Sequence, residues 1–173
     1  MPSYKSIIFL SLVLTSFLWP CDEGEVELWG ECYNIEETEE LLLSDMGLTG
    51  EIPPEIGQLV NLTTLALVTN QLTGPIPPEI GNLTNLVTLA LDNNHLSGEI
   101  PVELGNLINL TWFTLSTNHL SGEIPVELGQ LTNMSFFNLS TNELSGEIPE
   151  EICNQGDDDP SFYYNQLCPP YPY

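Results

Sequence analysis

The sequence predicts a repeat solenoid of the α/β class: a right-handed coil with a parallel β-sheet of short strands along its concave side and disulfide-bearing caps. Three observations lead to this prediction. Blocks of 24 residues recur from residue 41 onward, and each opens with the alternating apolar pattern of one short strand. The four cysteines stand as two close pairs near the ends of the chain that follows an apolar leader.

The 24-residue period organises the chain. Four blocks align in full: LLLSDMGLTGEIPPEIGQLVNLTT, LALVTNQLTGPIPPEIGNLTNLVT, LALDNNHLSGEIPVELGNLINLTW and FTLSTNHLSGEIPVELGQLTNMSF. A fifth block, FNLSTNELSGEIPEEICNQGDDD, is one residue short, and a sixth fragment, PSFYYNQLC, keeps only the strand and its asparagine. Because no block can bury its apolar face alone, we expect the stacked blocks to share one continuous core.

The shared pattern LxLxxNxLxGxIPxxIGxLxNLxx assigns a role to most positions. In LxL, alternation turns two apolar side chains inward and their neighbours outward, so each block contributes one strand. Phe113 and Phe137 stand at inward positions and are predicted to be core. The following asparagine falls where the chain leaves the strand, and its amide can bond backbone groups that would otherwise be buried without partners. These asparagines are Asn70, Asn94, Asn118, Asn142 and Asn165.

This pattern resembles the plant-type leucine-rich repeat, which occurs in plant receptor-kinase ectodomains, in polygalacturonase inhibitors and in bacterial secreted proteins. The resemblance covers about residues 41–167. It departs from the family pattern where Met46 replaces the first asparagine and Pro75 replaces a polar residue. The implied organisation is an N-terminal cap over residues 21–40, five leucine-rich repeats over residues 41–159, and a partial repeat with a C-terminal cap over residues 160–173.

Residues 1–20 are predicted to be a signal peptide. Lys5 supplies a positive start, and the apolar run 7–19 has signal-peptide length but is too short to cross a bilayer comfortably. The cleavage point stays open, because no small-x-small pattern precedes Cys21. We therefore expect a secreted protein, extracellular or at the cell surface, in an oxidising space where disulfides persist.

The four cysteines, Cys21, Cys32, Cys153 and Cys168, allow three pairings. Proximity in the sequence favours Cys21–Cys32 and Cys153–Cys168. Neither pair has the spacing of zinc ligands, and no histidine lies nearby in the sequence. Two disulfides are therefore predicted, and neither a metal site nor a cofactor is.

The charge balance restricts the partners. The chain has 25 Asp and Glu residues against one Lys, and loss of Lys5 with the signal peptide would take the formal charge from −24 to −25. Without cationic side chains the mature chain cannot neutralise phosphates, which argues against nucleic acid, and it would be repelled by anionic membrane surfaces. Many carboxylates recur in columns, as Glu79, Glu103 and Glu127 do, so non-specific cation association is one expectation.

The outward residues of the strands on the concave face are the default binding positions. Four aromatic side chains, Trp112, Phe136, Tyr163 and Tyr164, are expected to cluster on the C-terminal half of this face, where they suit peptide or sugar recognition. An alternative is that the tyrosines shield the last turn while Trp112 and Phe136 pack on each other. The polar members of the predicted site are Thr88, Asp92, Thr114, Ser116, Asn138 and Ser140.

The predicted function is recognition of an extracellular protein, peptide or glycan through the concave face. One alternative is a structural or adhesion module without a discrete ligand pocket. A more remote alternative is an ice- or crystal-binding surface on the hydroxyl column Thr69, Thr117 and Thr141. The carboxylates are periodic rather than paired in a cleft, and no Ser–His–Asp arrangement stands out, so the sequence does not predict an enzyme.

Overall fold

The structure is a computed structural model in which residues 21–154 and 160–168 are described, apart from the side chains of Cys153 and Asn154. Three predicted features fall outside the described residues. They are the signal peptide at 1–20, the acidic run 157–159, and residues 169–173 of the C-terminal cap.

An antiparallel hairpin closes the N-terminal end. It consists of β1 (Glu25–Leu28) and β2 (Glu31–Asn34), joined by Trp29 and Gly30, whose φ angles of 50° and 85° are those of a two-residue hairpin turn. The side chain of Leu28 is fully buried against the core. The Cys21–Cys32 disulfide ties the preceding segment to β2, with its Cα atoms 5.6 Å apart, which confirms the predicted N-terminal bond.

The LxL segments form the parallel sheet that lines the concave face. Its strands are β3 (Glu40–Leu42), β5 (Thr64–Ala66), β7 (Thr88–Ala90), β9 (Trp112–Thr114) and β11 (Phe136–Asn138), in the spatial order β11-β9-β7-β5-β3. A single bridge between Asn138 and Ser161 adds the sixth turn. The register repeats without slippage, since Thr88 pairs with Trp112 and Trp112 with Phe136.

A second parallel sheet runs along the opposite wall. Its strands are β4 (Thr49–Gly50), β6 (Gln71–Gly74), β8 (His95–Gly98), β10 (His119–Gly122), β12 (Glu143–Gly146) and β13 (Gln166–Leu167), in the spatial order β13-β12-β10-β8-β6-β4. The isoleucine two residues after the final glycine of β6, β8 and β10 is buried, so this sheet closes the core from the outside. These residues are Ile76, Ile100 and Ile124.

The helical part of each described repeat is a single 3₁₀ turn rather than an α-helix. These turns are η1 (Pro54–Gln58), η2 (Pro78–Asn82), η3 (Val102–Asn106), η4 (Val126–Gln130) and η5 (Glu150–Asn154). Close stacking explains the glycine within the first four. A Cβ at Gly57 would lie 2.5 Å from the carbonyl oxygen of Glu79 in the next turn, so only glycine permits the approach.

One continuous apolar core runs through the described turns. Leucine and isoleucine at the repeat positions are almost all fully buried, and the predicted core residues Phe113 and Phe137 are 0% and 1% exposed. Their rings meet at 5.3 Å, and Phe162 extends the row from Phe137 at 5.8 Å. Within the described part of the chain, no helix is long and apolar enough to cross a membrane.

The repeated asparagines form a buried ladder between the two sheets, as predicted. Asn118 is typical: its Oδ1 accepts from the N–H of Leu96 at 3.0 Å, and its Nδ2 donates to the carbonyls of Leu91 and Leu115, each at 3.0 Å. Each amide therefore joins its own turn to the preceding one. The same contacts recur at Asn70, Asn94, Asn142 and Asn165.

The residue before each ladder asparagine adopts the left-handed conformation. The φ angles are 56° at Thr69, Thr117 and Thr141 and 54° at Asn93. Asparagine visits this region readily, whereas a β-branched side chain rarely does. The predicted hydroxyl column is thus an exposed row of strained backbone positions, imposed by the tight exit from each strand.

The C-terminal end departs from the prediction, because the structure does not form the Cys153–Cys168 bond. Cys168 is free and exposed, and the side chain of Cys153 lies outside the described residues. The backbone decides where Cys168 lies: its N–H donates to the carbonyl of Gly146 at 2.8 Å and so continues the pairing of β13 with β12. This cysteine therefore follows the edge strand of the outer sheet.

Replacing Asn118 with alanine is expected to lower the free energy of unfolding by about 3 kcal/mol, because three buried backbone groups lose partners at about 1 kcal/mol or more each. Asn85→Ala is the matched control. Its exposed amide makes one bond, to the carbonyl of Val60 at 3.0 Å, so the expected loss is below about 1 kcal/mol. Urea unfolding followed by circular dichroism measures both, and equal losses would contradict the role assigned to the ladder.

Replacing Thr117 with asparagine is expected to raise the free energy of unfolding by about 1 kcal/mol, because asparagine tolerates the left-handed backbone better than threonine. Asn93 already occupies the equivalent position one turn earlier. Thr64→Asn, in the extended strand β5, is the control and should give no gain. The same unfolding assay tests this, and a loss of stability at Thr117 would overturn it.

Candidate functional site

Two aromatic rings stack on the C-terminal half of the concave face. Trp112 and Phe136 open the paired strands β9 and β11, and the pairing holds their side chains next to each other. Their ring centroids are 4.1 Å apart and their planes differ by 20°. Trp112 is 44% exposed and Phe136 is half-buried, so the stack, hereafter the aromatic stack, presents a broad apolar surface to solvent.

The two tyrosines lie apart from the aromatic stack. Tyr163 and Tyr164 are 69% and 83% exposed on the last described turn, and no ring contact within the described residues links them to the stack. The register explains the separation. The N–H of Thr141 donates to the carbonyl of Tyr163, so the tyrosines stand at the exits of the strands, whereas the stack stands at their starts. The starts and the exits of the strands are four residues apart, which separates the stack from the tyrosines by about 13 Å.

The polar residues of the predicted site fall into two groups. Thr88, Asn138 and Ser140 are half-buried, and Asn138 Oδ1 accepts from the N–H of Ser140 at 2.9 Å. The other group surrounds Asp92, whose Oδ1 accepts from the N–H of Ser116 at 3.0 Å and from its hydroxyl at 2.7 Å.

Thr114 corrects the sequence prediction. It was expected to face a ligand, but it is only 4% exposed, and its hydroxyl donates to Asp92 Oδ1. Ala90, at the same position one turn earlier, is also buried. The middle of the strand therefore forms the floor of the site, and Thr114 contributes by orienting Asp92 rather than by contacting a ligand.

Sequence reasoning missed apolar surface on the first turn. Leu42 is 61% exposed and Met46 is 64% exposed, although both belong to the first repeat. The signal was present in the pattern: in Leu41-Leu42-Leu43 the middle residue must point outward, and Met46 stands where later turns have a buried asparagine. The backbone N–H of Met46 still donates to Asn70 Oδ1, at 3.1 Å.

Charge divides the two walls. From Thr63 to the last described turn, Asp92 is the sole charged residue among the outward positions of the concave sheet. The outer wall carries the columns Glu55, Glu79, Glu103, Glu127 and Glu151, and Glu51, Glu99, Glu123 and Glu147. An open groove of about 920 Å³ on that wall runs between Glu99, Glu123 and Glu147. From the second turn onward, the concave face therefore carries much less negative charge than the outer wall.

Two other clusters among the described residues bring side chains of metal-ligand type close together. His95 and His119 stack with centroids 5.9 Å apart, and His119 Nδ1 lies 3.4 Å from Glu143 Oε1, with both side chains more than half exposed. Cys21, Glu25 and Cys32 bring three donor atoms within 4.8 Å of one another, but the two sulfurs are bonded to each other. Neither cluster offers a prepared set of ligands.

The sequence pattern of the leucine-rich repeat region family matches residues 40–155, which include all the strands of the concave sheet. The chain belongs to the leucine-rich-repeat family. No curated protein matches this leucine-rich-repeat chain in sequence. The likeness is instead visible among solved structures.

Three solved ectodomains illustrate that likeness. The ectodomain of the plant membrane receptor kinase GASSHO1/SCHENGEN3 from Arabidopsis thaliana, in complex with CASPARIAN STRIP INTEGRITY FACTOR 2, is 44% identical over 75% of this chain and 16% of that chain, with a TM-score of 0.71. The Arabidopsis receptor kinase HAESA, in complex with the peptide hormone IDA and the co-receptor SERK1, is 41% identical over 75% and 22%, with a TM-score of 0.72. The ectodomain of the Arabidopsis thaliana receptor kinase SOBIR1 is 32% identical over 84% and 83%, with a TM-score of 0.70.

The leucine-rich-repeat chain therefore spans about a fifth of the length of the first two ectodomains and most of the third. What it shares with all three is the repeat geometry that produces the concave sheet. The residues of the aromatic stack and Asp92 are features of this chain's own outward positions.

Raising NaCl from about 10 mM to about 300 mM is expected to raise the melting temperature by roughly 5 °C, because screening relieves repulsion along the outer columns. CaCl₂ at matched ionic strength separates screening from divalent association, which would add a further increase. The control variant Glu103→Gln, in the middle of one column, should melt higher at low salt and respond less to added salt. A flat or falling trend in differential scanning calorimetry would contradict the repulsive columns.

Proposed function

We propose that this leucine-rich-repeat chain is an extracellular recognition module that binds a peptide, or an extended segment of a protein, across the C-terminal half of its concave face. The aromatic stack of Trp112 and Phe136 is the observation that carries the proposal. Large exposed apolar side chains mark a binding surface when they form a contiguous patch, whereas single ones are ordinary. Here two of them lie in contact on the face that repeat proteins use for binding.

The energetics of the aromatic stack suit an anchor. Aromatic side chains bring a large contact area with few rotatable bonds, and they are enriched at binding hot spots. Stacking on each other already restricts both rings, so a ligand would order them at little further cost. Half-buried Thr88 and Asn138 flank the rings, and Ser140 lies further along the same face, so hydroxyl and amide groups are available to bond an extended backbone.

The solved relatives support the same class of ligand. GASSHO1/SCHENGEN3 was solved with CASPARIAN STRIP INTEGRITY FACTOR 2, and HAESA with the peptide hormone IDA and a co-receptor. By analogy, we assign this chain a peptide or protein partner in preference to a glycan. The relatives are ectodomains, and together with the Cys21–Cys32 disulfide this supports an extracellular or cell-surface location. We assign no catalytic activity.

Selection from a phage-displayed library of random dodecapeptides on the full chain tests the proposal. The enriched peptides should lose at least about tenfold in affinity on Trp112→Ala and on Phe136→Ala, since truncating a hot-spot aromatic costs about 2 kcal/mol or more. Fluorescence anisotropy measures the affinities, and circular dichroism confirms that each variant is folded.

Val126→Ala is the matched control, because Val126 is 48% exposed on the outer wall and its loss should leave peptide binding unchanged. The proposal fails if the library yields no enriched peptides, or if enriched peptides bind Trp112→Ala as tightly as the unmodified chain. The first outcome would favour a structural or adhesion module without a discrete ligand site.

A further inference from the structure

We propose that the concave face holds a subsite for a single cation, formed by the Asp92 carboxylate and the uncovered face of the Trp112 indole. Its ligand would be a lysine or arginine side chain of the bound segment. The inference rests on the proposed function, because it names the chemistry of one residue of that peptide or protein partner.

Asp92 is held in place through one of its two oxygens. Oδ1 accepts from the hydroxyls of Thr114 and Ser116 and from the N–H of Ser116, which fixes the direction of the carboxylate. Oδ2 makes no hydrogen bond to any described residue. A carboxylate oriented in this way can accept from an incoming N–H donor without losing the bonds that position it.

The structural task of Asp92 does not need a charge. Two turns before Asp92, the hydroxyl of Ser44 accepts from the N–H of Val68 at 3.1 Å, which is the same contact that Asp92 makes with Ser116. Further along the chain, Asn138 Oδ1 accepts from the N–H of Ser140. Neutral side chains satisfy this backbone donor elsewhere, so the negative charge at Asp92 is surplus to the fold.

Phe136 covers one face of the Trp112 indole, and the side chain as a whole is 44% exposed. Trp112 and Phe136 stand on paired strands and their rings are nearly parallel at 4.1 Å, so the stacking direction runs across the sheet from β11 to β9. The face not covered by Phe136 is therefore turned toward β7, where the paired residue is the small Thr88. Indole is the best side-chain partner for a cation lying over a ring face.

The two groups lie within reach of one side chain. Asp92 follows β7 by two residues, and it is bonded to Thr114, which lies two residues beyond Trp112 on the same face of β9. Two residues of strand span about 7 Å. The floor between them is low and closed, since Ala90 and Thr114 are both buried. A lysine or arginine side chain can thus lie along the indole while its head group meets Asp92.

No lysine or arginine of the chain beyond residue 5 can compete with a ligand for this subsite. The sequence contains no lysine or arginine beyond Lys5, so no internal cation neutralises Asp92. The formal charge of −24 would also draw a basic segment toward the molecule. Non-specific attraction of that kind acts over the whole surface, however, so the test must separate it from a defined contact.

A double-mutant cycle makes that separation. Peptides enriched on the full chain are synthesised in pairs, with each arginine replaced by neutral citrulline or each lysine by norleucine. Affinity for the full chain is compared with that for Asp92→Asn, which keeps the acceptor oxygen for Thr114 and Ser116 but removes the charge. Glu103→Gln, on the outer wall, removes one charge away from the site and controls for general attraction.

The basic peptide is expected to bind Asp92→Asn about five- to tenfold more weakly, while its neutral counterpart binds both proteins equally. Glu103→Gln should weaken both by less than about twofold. The subsite is overturned if Asp92→Asn weakens basic and neutral peptides alike, or if the enriched peptides contain no excess of lysine or arginine. If one of these two results is obtained while Trp112→Ala still abolishes binding, the proposed function stands without this subsite. If the library yields no enriched peptide at all, both the proposed function and the subsite are overturned.

Discussion

The buried asparagine ladder is the constraint on which the rest of the fold depends. Each turn of the coil must bend sharply out of the concave strand, and the bend leaves an N–H and carbonyls pointing into a closed interior. One side-chain amide per turn satisfies them, and it reaches into the preceding turn while doing so, as Asn118 does with Leu91 and Leu96. The ladder thus sets both the shape of a turn and its spacing from the next. The left-handed residue before each asparagine and the close glycine contacts of the 3₁₀ turns follow from that spacing.

Because the ladder and the core hold the turns together, most outward positions of the concave sheet are free to vary. Threonine, alanine, tryptophan, phenylalanine, asparagine and serine all occur there without disturbing the register. The sequence uses that freedom unevenly: β3 carries Glu40 and Leu42, β5 and β7 carry small residues, and the aromatic stack occupies β9 and β11. Most of the acidic residues lie on the outer wall, where glutamates recur in successive turns and salt in the solvent can screen their repulsion. From the second turn onward, the result is a nearly neutral concave face on a strongly acidic molecule.

Periodicity made the fold predictable, and departures from periodicity mark where prediction stopped. The strands, the ladder, the core phenylalanines and the N-terminal disulfide all follow from residues that repeat or stand close together. The burial of Thr114 does not, because burial at that repeat position varies: Ala90 and Thr114 are buried, whereas Ala66 and Asn138 are half-buried. The separation of the tyrosines from the aromatic stack depends on where the shortened last turn rejoins the register. The free state of Cys168 does not follow from its sequence proximity to Cys153 either.

The asymmetry between the two ends bears on how long a ligand would stay bound. In a linear array, each turn is stabilised by its immediate neighbours, so fraying begins at whichever terminus has the weaker closure. A disulfide-bonded hairpin closes the N-terminal end of the coil, whereas the last described turn is held by the two-residue strand β13 and a single bridge at Ser161. The aromatic stack lies within two turns of that last described turn. A partner lying across β9 and β11 would therefore act as an added neighbour for the terminal turns, and its residence time would be coupled to how often they open.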